Sequence, residues 1–338
     1  MKNSELIIST ELDGEETEDR SEVGAEVESR LLVMGETHHG VRLDRALAEL
    51  VTEFSRSYLQ QMIELGGVSV NGGVVMKAAA KVKAADQVVI ELRPTPQSQA
   101  FKPEPMALDI VHQDEHLMVI NKPAGLVVHP APGNWQGTLL NGLLAHDAQA
   151  MHLPRAGIVH RLDKDTSGLM MVARTRVAME ALVRMIAARE VSRQYVALAH
   201  RPWVGSGLRE VHAPIGRDPR NRLRMAVVDL ERTPGKSAQT DISLLANADQ
   251  GCLVRCTLHT GRTHQIRVHM ASINHPLVAD ELYGGQPAAG LTRQALHAWR
   301  LAFMHPLTGE SLVFQSALPP DLSQALSQWG LSYNPSQA

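Results

Sequence analysis

The chain has few cysteines, few aromatic side chains and no excess of basic charge, and each shortage narrows the possible classes of protein. Two cysteines, Cys252 and Cys256, occur among 338 residues, four positions apart in a predicted strand. They would share one face of that strand. We expect buried, reduced thiols rather than a disulfide or a metal site, so redox chemistry is not indicated.

Long apolar runs are also missing. No stretch approaches the roughly 20 apolar residues of a membrane span, and the N-terminus is acidic rather than basic and then apolar, as in a signal peptide. The sequence predicts a soluble, cytoplasmic protein with no membrane partner. It contains neither a Walker-type phosphate loop nor a dinucleotide fingerprint, so no ATP or nicotinamide cofactor is indicated.

The charge is distributed unevenly along the chain. The net charge is -3, yet residues 1–30 contain ten acidic and three basic residues, and the rest of the chain contains 30 basic and 26 acidic ones. The acidic segment, residues 1–35, is predicted to be disordered. The remainder is mildly basic, which is compatible with an RNA partner but does not establish one.

Residues 40–93 predict a small α/β domain. Leu43, Leu47 and Leu50 recur at helical spacing, Ser55 is a plausible N-cap of a second helix, and Asn71-Gly72 is typical of a tight turn between short strands. Two helices leading into a hairpin resemble the S4-type RNA-binding domain, whose helix pair presents basic side chains to folded RNA. The resemblance makes these residues candidate RNA contacts: Arg42, Arg45, Arg56, Lys77 and Lys81.

A proline-rich stretch, residues 94–107, predicts an extended linker. Residues 108–325 then mix helices and strands without a regular strand-helix-strand repeat. This pattern favours an α+β domain with a mixed, largely antiparallel sheet flanked by helices over a doubly wound parallel sheet. Residues 326–338 are predicted to be a C-terminal tail.

The stretch 157–169, Gly-Ile-Val-His-Arg-Leu-Asp-Lys-Asp-Thr-Ser-Gly-Leu, is the most informative part of the chain. Its apolar start ends in charged residues that need partners if they are buried. Composition alone leaves a solvated turn and a reactive loop equally open. Asp163 and Asp165 would also suit the acid-base pair of a hydrolase.

The order His-Arg-Leu-Asp followed by Thr-Ser-Gly-Leu resembles the active-site motif of the RluA-type pseudouridine synthases. In that family the aspartate after Arg-Leu is the catalytic nucleophile, which corresponds to Asp163. Arg161 resembles the arginine that fills the space vacated when the target base flips out. The resemblance implies a catalytic domain with the pseudouridine synthase fold.

Two further segments extend the resemblance. Arg193-Gln194-Tyr195 is similar to a family segment in which the tyrosine stacks on the target base. Residues 260–270, Thr-Gly-Arg-Thr-His-Gln-Ile-Arg-Val-His-Met, are similar to another, in which Arg267 corresponds to the arginine that pairs with the nucleophile. We interpret residues 121–125, Asn-Lys-Pro-Ala-Gly, mainly as a rigid turn, and residues 280–284 as framework.

A metal site is not expected. His264 and His269 are five apart and flanked by arginines, unlike the i, i+4 spacing of helical metal ligands. The pair His38-His39 is likewise not expected to bind a metal.

The resemblance implies a cofactor-free isomerisation of uridine to pseudouridine. Residues 217–224, Arg-Asp-Pro-Arg-Asn-Arg-Leu-Arg, look most like the family's D type, which implies a stem-loop of large-subunit (23S) ribosomal RNA as the partner. We expect a monomer. The alternative is an RNA-binding or ribosome-assembly factor that keeps the fold without the chemistry.

Overall fold

The computed structural model describes residues 28–52, 54–92, 100–131, 133–221 and 223–334. The chain divides into two compact units between residues 95 and 96, within the predicted linker. The predictions for residues 1–27, 93–99 and 335–338 lie outside the described residues.

The first unit packs two helices against a four-stranded sheet. Its elements are β1 (Glu28–Val33), α1 (Leu43–Leu50), α2 (Arg56–Glu64), β2 (Val68–Val70), β3 (Gly73–Val74) and β4 (Gln87–Leu92), with strand order β1-β4-β2-β3. Helix α2 begins as predicted, because the Tyr58 N–H donates to Ser55 Oγ at 3.2 Å. Asn71 and Gly72 both have positive φ, which makes the predicted tight turn.

The predicted disorder through residue 35 is wrong for residues 28–35. Strand β1 pairs antiparallel with β4, with Leu31 opposite Val89, and the Met34 side chain is buried in the core of the unit. The acidic composition gave no sign of this strand. The strand forms because it pairs with a partner almost 60 residues later in the chain, which local propensity does not reveal. These residues belong to the first folded unit.

The second unit is built on a nine-stranded sheet. Its strands are β5 (Ile110–Gln113), β6 (Leu117–Lys122), β7 (Ser167–Ala173), β8 (Ser192–His200), β9 (Leu208–His212), β13 (Gln239–Asn247), β14 (Gly251–Leu258), β15 (Leu296–Met304) and β16 (Ser311–Gln315). A smaller sheet contains β10 (Ile215–Arg217), β11 (Met225–Val227) and β12 (Gly235–Lys236). The helices are α3 (Leu139–His146), α4 (Arg176–Ala187), α5 (Gln265–Ser272) and α6 (Pro320–Gln328).

The strand order of the large sheet is β5-β6-β7-β15-β8-β14-β13-β9, with β16 paired to β15. Its pairings are antiparallel except that of β7 with β15, which is parallel. The predicted α+β fold with a mixed, largely antiparallel sheet is confirmed. Cys252 and Cys256 are buried, free thiols on β14, as expected. Among the described residues, no helix is both long and apolar enough to cross a membrane.

The predicted linker extends too far toward the C-terminus. Ala100 is buried, and the Asn141 side-chain amide donates to the carbonyls of Ala100 and Lys102 at 3.2 and 2.8 Å. The Glu104 N–H in turn donates to the Asn141 carbonyl. Buried main-chain groups need such partners, so the described residues 100–107 belong to the second unit.

The predicted C-terminal tail also begins too early. Residue 326 lies within α6, where Leu326 is buried, and Leu331 is buried beyond the helix end. The Tyr333 ring meets Trp299 edge to face at 6.0 Å between centroids. Apolar contacts therefore hold residues 326–333 on the core of the second unit.

The parallel pairing of β7 with β15 requires a glycine. Gly168 lies opposite Ala298, has φ of +113°, and a Cβ there would lie 2.2 Å from the Ala298 carbonyl oxygen. Only glycine tolerates both the conformation and the close approach. This glycine fixes the C-terminal end of the loop that carries Asp163.

Candidate active site

The Asp163 loop runs from Ile158 to the start of β7. His160 Nε2 accepts the Met171 N–H at 3.0 Å, and the Thr166 N–H donates to the Asp163 carbonyl at 3.1 Å. Burial, with the nearby charge of Arg193, lowers the pKa of His160 to about 3, so its ring is neutral and free to accept. The His160 side chain therefore holds the loop to β7, and a main-chain bond closes the turn that follows Asp163.

Lys122 ties this loop to the segment that follows β6. Its side chain is 1% exposed, and Nζ donates to the carbonyls of Pro123, Leu126 and Lys164 at 2.7, 2.9 and 2.9 Å. Three carbonyls use all three ammonium hydrogens. The Asn-Lys-Pro-Ala-Gly segment is thus more than a rigid turn, because its lysine fixes the residue that follows Asp163.

Arg267, on α5, holds two carboxylates at once. Nη1 donates to Asp163 Oδ2 at 3.2 Å, while Nε and Nη2 donate to the two oxygens of Asp280 at 2.7 Å each. Burial lowers the pKa of Arg267, but the bonds and charges of Asp280 and Asp163 outweigh it and the pKa is raised. The guanidinium therefore stays charged and orients the Asp163 carboxylate.

His264 approaches the other oxygen of Asp163. Its Nε2 lies 3.8 Å from Asp163 Oδ1 and its Nδ1 lies 2.8 Å from the Tyr283 hydroxyl. That hydroxyl also accepts the Met225 N–H at 3.0 Å. His264 has φ of 56°, a left-handed conformation that is costly for a side chain other than glycine. The strained backbone places the imidazole between Asp163 and Tyr283.

Tyr195 and Arg193 lie on the same face of β8. Both side chains are buried, at 6% exposure each. Burial, with the neighbouring charge of Asp163, raises the pKa of Tyr195 to about 12, although Arg193 opposes the shift. The raised pKa keeps the Tyr195 side chain a neutral phenol throughout the physiological pH range.

A cleft of about 850 Å³, large enough for a nucleotide, is lined by Asp163, Arg193, Tyr195, His264 and Arg267. Its lining includes six arginines, Arg155, Arg161, Arg189, Arg193, Arg262 and Arg267. Among the described lining residues, Asp163 is the only carboxylate. The cleft therefore attracts an anionic ligand and presents it with a single carboxylate.

The structure brings together four of the predicted site residues. Asp163, Tyr195, Arg267 and Arg161 all line the cleft, with Arg161 at its exposed edge. Asp165 is absent from the described lining, and its carbonyl accepts from Arg293 at 2.9 Å. This position disfavours an acid-base pair of Asp163 and Asp165.

The five predicted RNA contacts of the first unit divide into two groups. Arg42 and Arg56 both donate to the fully buried Asp44 carboxylate, at 3.0 and 2.8 Å, and each keeps about half of its side chain exposed. Arg45 is exposed and pairs with Glu49 one helical turn away, and Lys77 and Lys81 are exposed. The first pair therefore also has a structural task within the unit.

Asp280, Lys122, His264 and Tyr283 were not predicted to belong to the site. Sequence offered one weak signal for Asp280, an acidic residue directly after the apolar Leu277 to Ala279, which must be partnered when buried. His269 does not join His264. Its Nδ1 bonds Thr240 at 2.9 Å and its Nε2 donates to the Ala213 carbonyl at 3.0 Å.

Comparison with known proteins identifies the class. The RNA pseudouridylate synthase family model matches residues 116–272, and the S4 domain model matches residues 41–88. The solved structure of human RNA pseudouridylate synthase domain containing 4 is similar with a TM-score of 0.52 and 26% identity, over 66% of this chain and 94% of that one.

Two curated relatives are more similar in sequence. Ribosomal large subunit pseudouridine synthase D of Neisseria meningitidis is 48% identical over 301 residues, 85% of this chain and 78% of that protein. The protein of the same name from Nitrosomonas europaea is 46% identical over 295 residues, 85% of this chain and 84% of that protein. The chain belongs to the RNA pseudouridylate synthase family and carries an S4 domain. It is by class an RNA pseudouridine synthase, an isomerase.

Proposed function

We propose that this protein converts specific uridines of large-subunit (23S) ribosomal RNA to pseudouridine, with Asp163 as the nucleophile and no cofactor. The substrate follows from the two relatives, whose names specify the ribosomal large subunit. The arginine-rich segment 217–224 adds support, since arginines favour a phosphate backbone and Arg217 and Arg220 are exposed. A stem-loop is the proposed target, as the resemblance of residues 217–224 to the D type implies, and a base stacked there must flip into the cleft.

One observation carries the proposal: the described lining of the cleft contains six arginines and one carboxylate, and Arg267 orients that carboxylate. The reaction breaks the bond between N1 and C1′, rotates the base, and joins C5 to C1′. The C5 hydrogen leaves and N1 gains a proton, so the atoms balance without an oxidant. An ionised Asp163 suits attack on the ribose or abstraction of a ribose proton.

The other predicted residues have distinct roles in this proposal. Tyr195 supports the detached base, and Arg161 fills the space that the flipped nucleotide leaves. Arg42, Arg45, Arg56, Lys77 and Lys81 contact RNA from the S4 domain. The monomeric state and the cytoplasmic location stay predictions.

The test uses an unmodified large-subunit rRNA transcript labelled with tritium at uridine C5, because the isomerisation releases that hydrogen into water. We expect wild-type protein to release tritium and Asp163→Asn to release none above background. RNA affinity should change by no more than about threefold, since the basic surface is intact.

Asp165→Asn is the matched control, because it removes a carboxylate from the same loop outside the cleft. It should keep most of the activity. Tritium release by Asp163→Asn would overturn the nucleophile assignment. A wild-type protein that binds the transcript without releasing tritium would instead support the alternative of an RNA-binding or ribosome-assembly factor.

A further inference from the structure

Arg193 is a buried cation on the wall of the cleft. It stands near the start of β8, two residues before Tyr195 and on the same strand face, and its side chain is more than nine-tenths buried. It lines the same cleft as Asp163. Its charge is close enough to contribute to the lowered pKa of His160, after burial itself.

Unlike the other buried arginine of the site, Arg193 lacks an acidic partner among the described residues. Arg267 has Asp163 and Asp280, whereas no carboxylate of the described chain comes within ion-pair distance of Arg193. Its Nε is buried and has no hydrogen-bond partner. A desolvated guanidinium without an anion is unfavourable, so its retention in a cleft indicates that a ligand supplies the anion.

Gly261 keeps room for the guanidinium. A Cβ at this position would lie 2.9 Å from Arg193 Nη1, closer than side-chain atoms normally approach. Gly261 lines the cleft and has no positive φ that would itself require glycine. A side chain at this position would therefore force the guanidinium to shift from the place it holds in the cleft wall.

We propose that Arg193 is an anion subsite that binds a backbone phosphate next to the target nucleotide, while that nucleotide's base lies on Tyr195. The inference rests on the proposed function, since it takes RNA as the ligand of the cleft. A phosphate offers two oxygens to the planar guanidinium. It would satisfy the orphaned donor and neutralise the buried charge in one contact.

The test compares Arg193→Met with Arg176→Met, an exposed arginine that pairs with Glu180 on α4 outside the cleft. The dissociation constant of the unmodified rRNA transcript is measured from low to high KCl. Losing one phosphate contact should lower the slope of log Kd against log salt by about 0.7. Affinity at low salt should fall by about 10- to 100-fold, and Arg176→Met should change neither.

Thermal unfolding separates this role from a structural one. Because Arg193 is an uncompensated buried charge, Arg193→Met should raise the Tm while it weakens RNA binding. Gly261→Ala, which displaces the guanidinium without removing it, should reproduce part of the affinity loss, and Arg193→Lys should restore part of the salt slope.

A lowered Tm with an unchanged salt slope in Arg193→Met would overturn the subsite and make Arg193 a framework residue. An unchanged salt slope together with an unchanged Tm in Arg193→Met would also overturn the phosphate subsite. Stacking of the guanidinium on a base would then be the better explanation. Failure of the proposed function looks different, because wild-type protein would then release no tritium from the transcript at all.

Discussion

Asp280→Asn should cost this protein both stability and activity. Asp280 is 1% exposed and takes two 2.7 Å hydrogen bonds from Arg267. Asparagine keeps the shape of the side chain, but it replaces one carboxylate oxygen with an NH2 group that faces an N–H of Arg267. It also removes the negative charge that compensates the Arg267 guanidinium. Breaking a buried ion pair from one side costs about 3–5 kcal/mol.

For a domain of this size, 1 kcal/mol shifts the Tm by about 2–4 °C, so the second unit should lose about 6–20 °C in a calorimetric scan. Arg267 also orients Asp163 at 3.2 Å. Its displacement should slow single-turnover tritium release by about 10- to 100-fold.

Asp321→Asn is the matched control, because it removes the same kind of ion pair at an exposed position. Asp321 forms an equivalent two-bond pair with Arg293, at 2.7 and 2.9 Å, but its side chain is 42% exposed. Water can replace the lost contacts, so the cost should be below about 1 kcal/mol and tritium release should stay near wild type. Equal Tm losses in the two variants would refute the reasoning, because burial would then not decide the cost.

Two further predictions concern buried charges elsewhere in the chain. Lys122→Met should destabilise the second unit by about 3–5 kcal/mol in guanidinium unfolding, because three carbonyls lose their donor; a loss within about 1 kcal/mol would show that water reaches them. In the first unit, Arg42, Gln60 and Arg56 hold the pKa of Asp44 below its ordinary value of 3.8, against the opposing effect of burial. The ionised carboxylate therefore stabilises this unit fully above about pH 4, and the stabilisation is lost as pH falls through the lower, folded-state pKa. The Tm of the first unit should fall on acidification from pH 5 to pH 3 in wild type and much less in Asp44→Asn; parallel curves would contradict this assignment.

Sequence signals predicted those structural features that depend on neighbouring residues. The Ser55 cap and the Asn71-Gly72 turn follow from residue preferences within a few positions. The mixed sheet was predicted from the order of helices and strands along residues 108–325. Asp163 and Arg267 came from motifs, and the structure places their side chains 3.2 Å apart although they are 104 residues apart in the chain.

The missed features depend on partners distant in sequence. β1 is a strand because β4 pairs with it, and its acidic surroundings suggested disorder. Lys122 looked like an ordinary turn lysine, since lysine is rarely buried, and only the fold supplies its three carbonyls. Asp280 and His264 belong to the site because the fold brings them to Arg267 and Asp163, and the sequence around Asp280 gave only a weak signal of this.

The parallel pairing of β7 with β15 at Gly168 also bears on when the active site can form during protein synthesis. Ser167 and Gly168 pair with His297 and Ala298, and Ser167 Oγ bonds His297 Nδ1 across 130 positions of chain. A growing polypeptide that has emerged only as far as Asp280 already exposes Asp163, Tyr195, Arg193 and Arg267, yet β15, which anchors the loop that carries Asp163, has not emerged. Contacts of such long range form late. We therefore expect catalytic competence to appear only after β15 has left the ribosome.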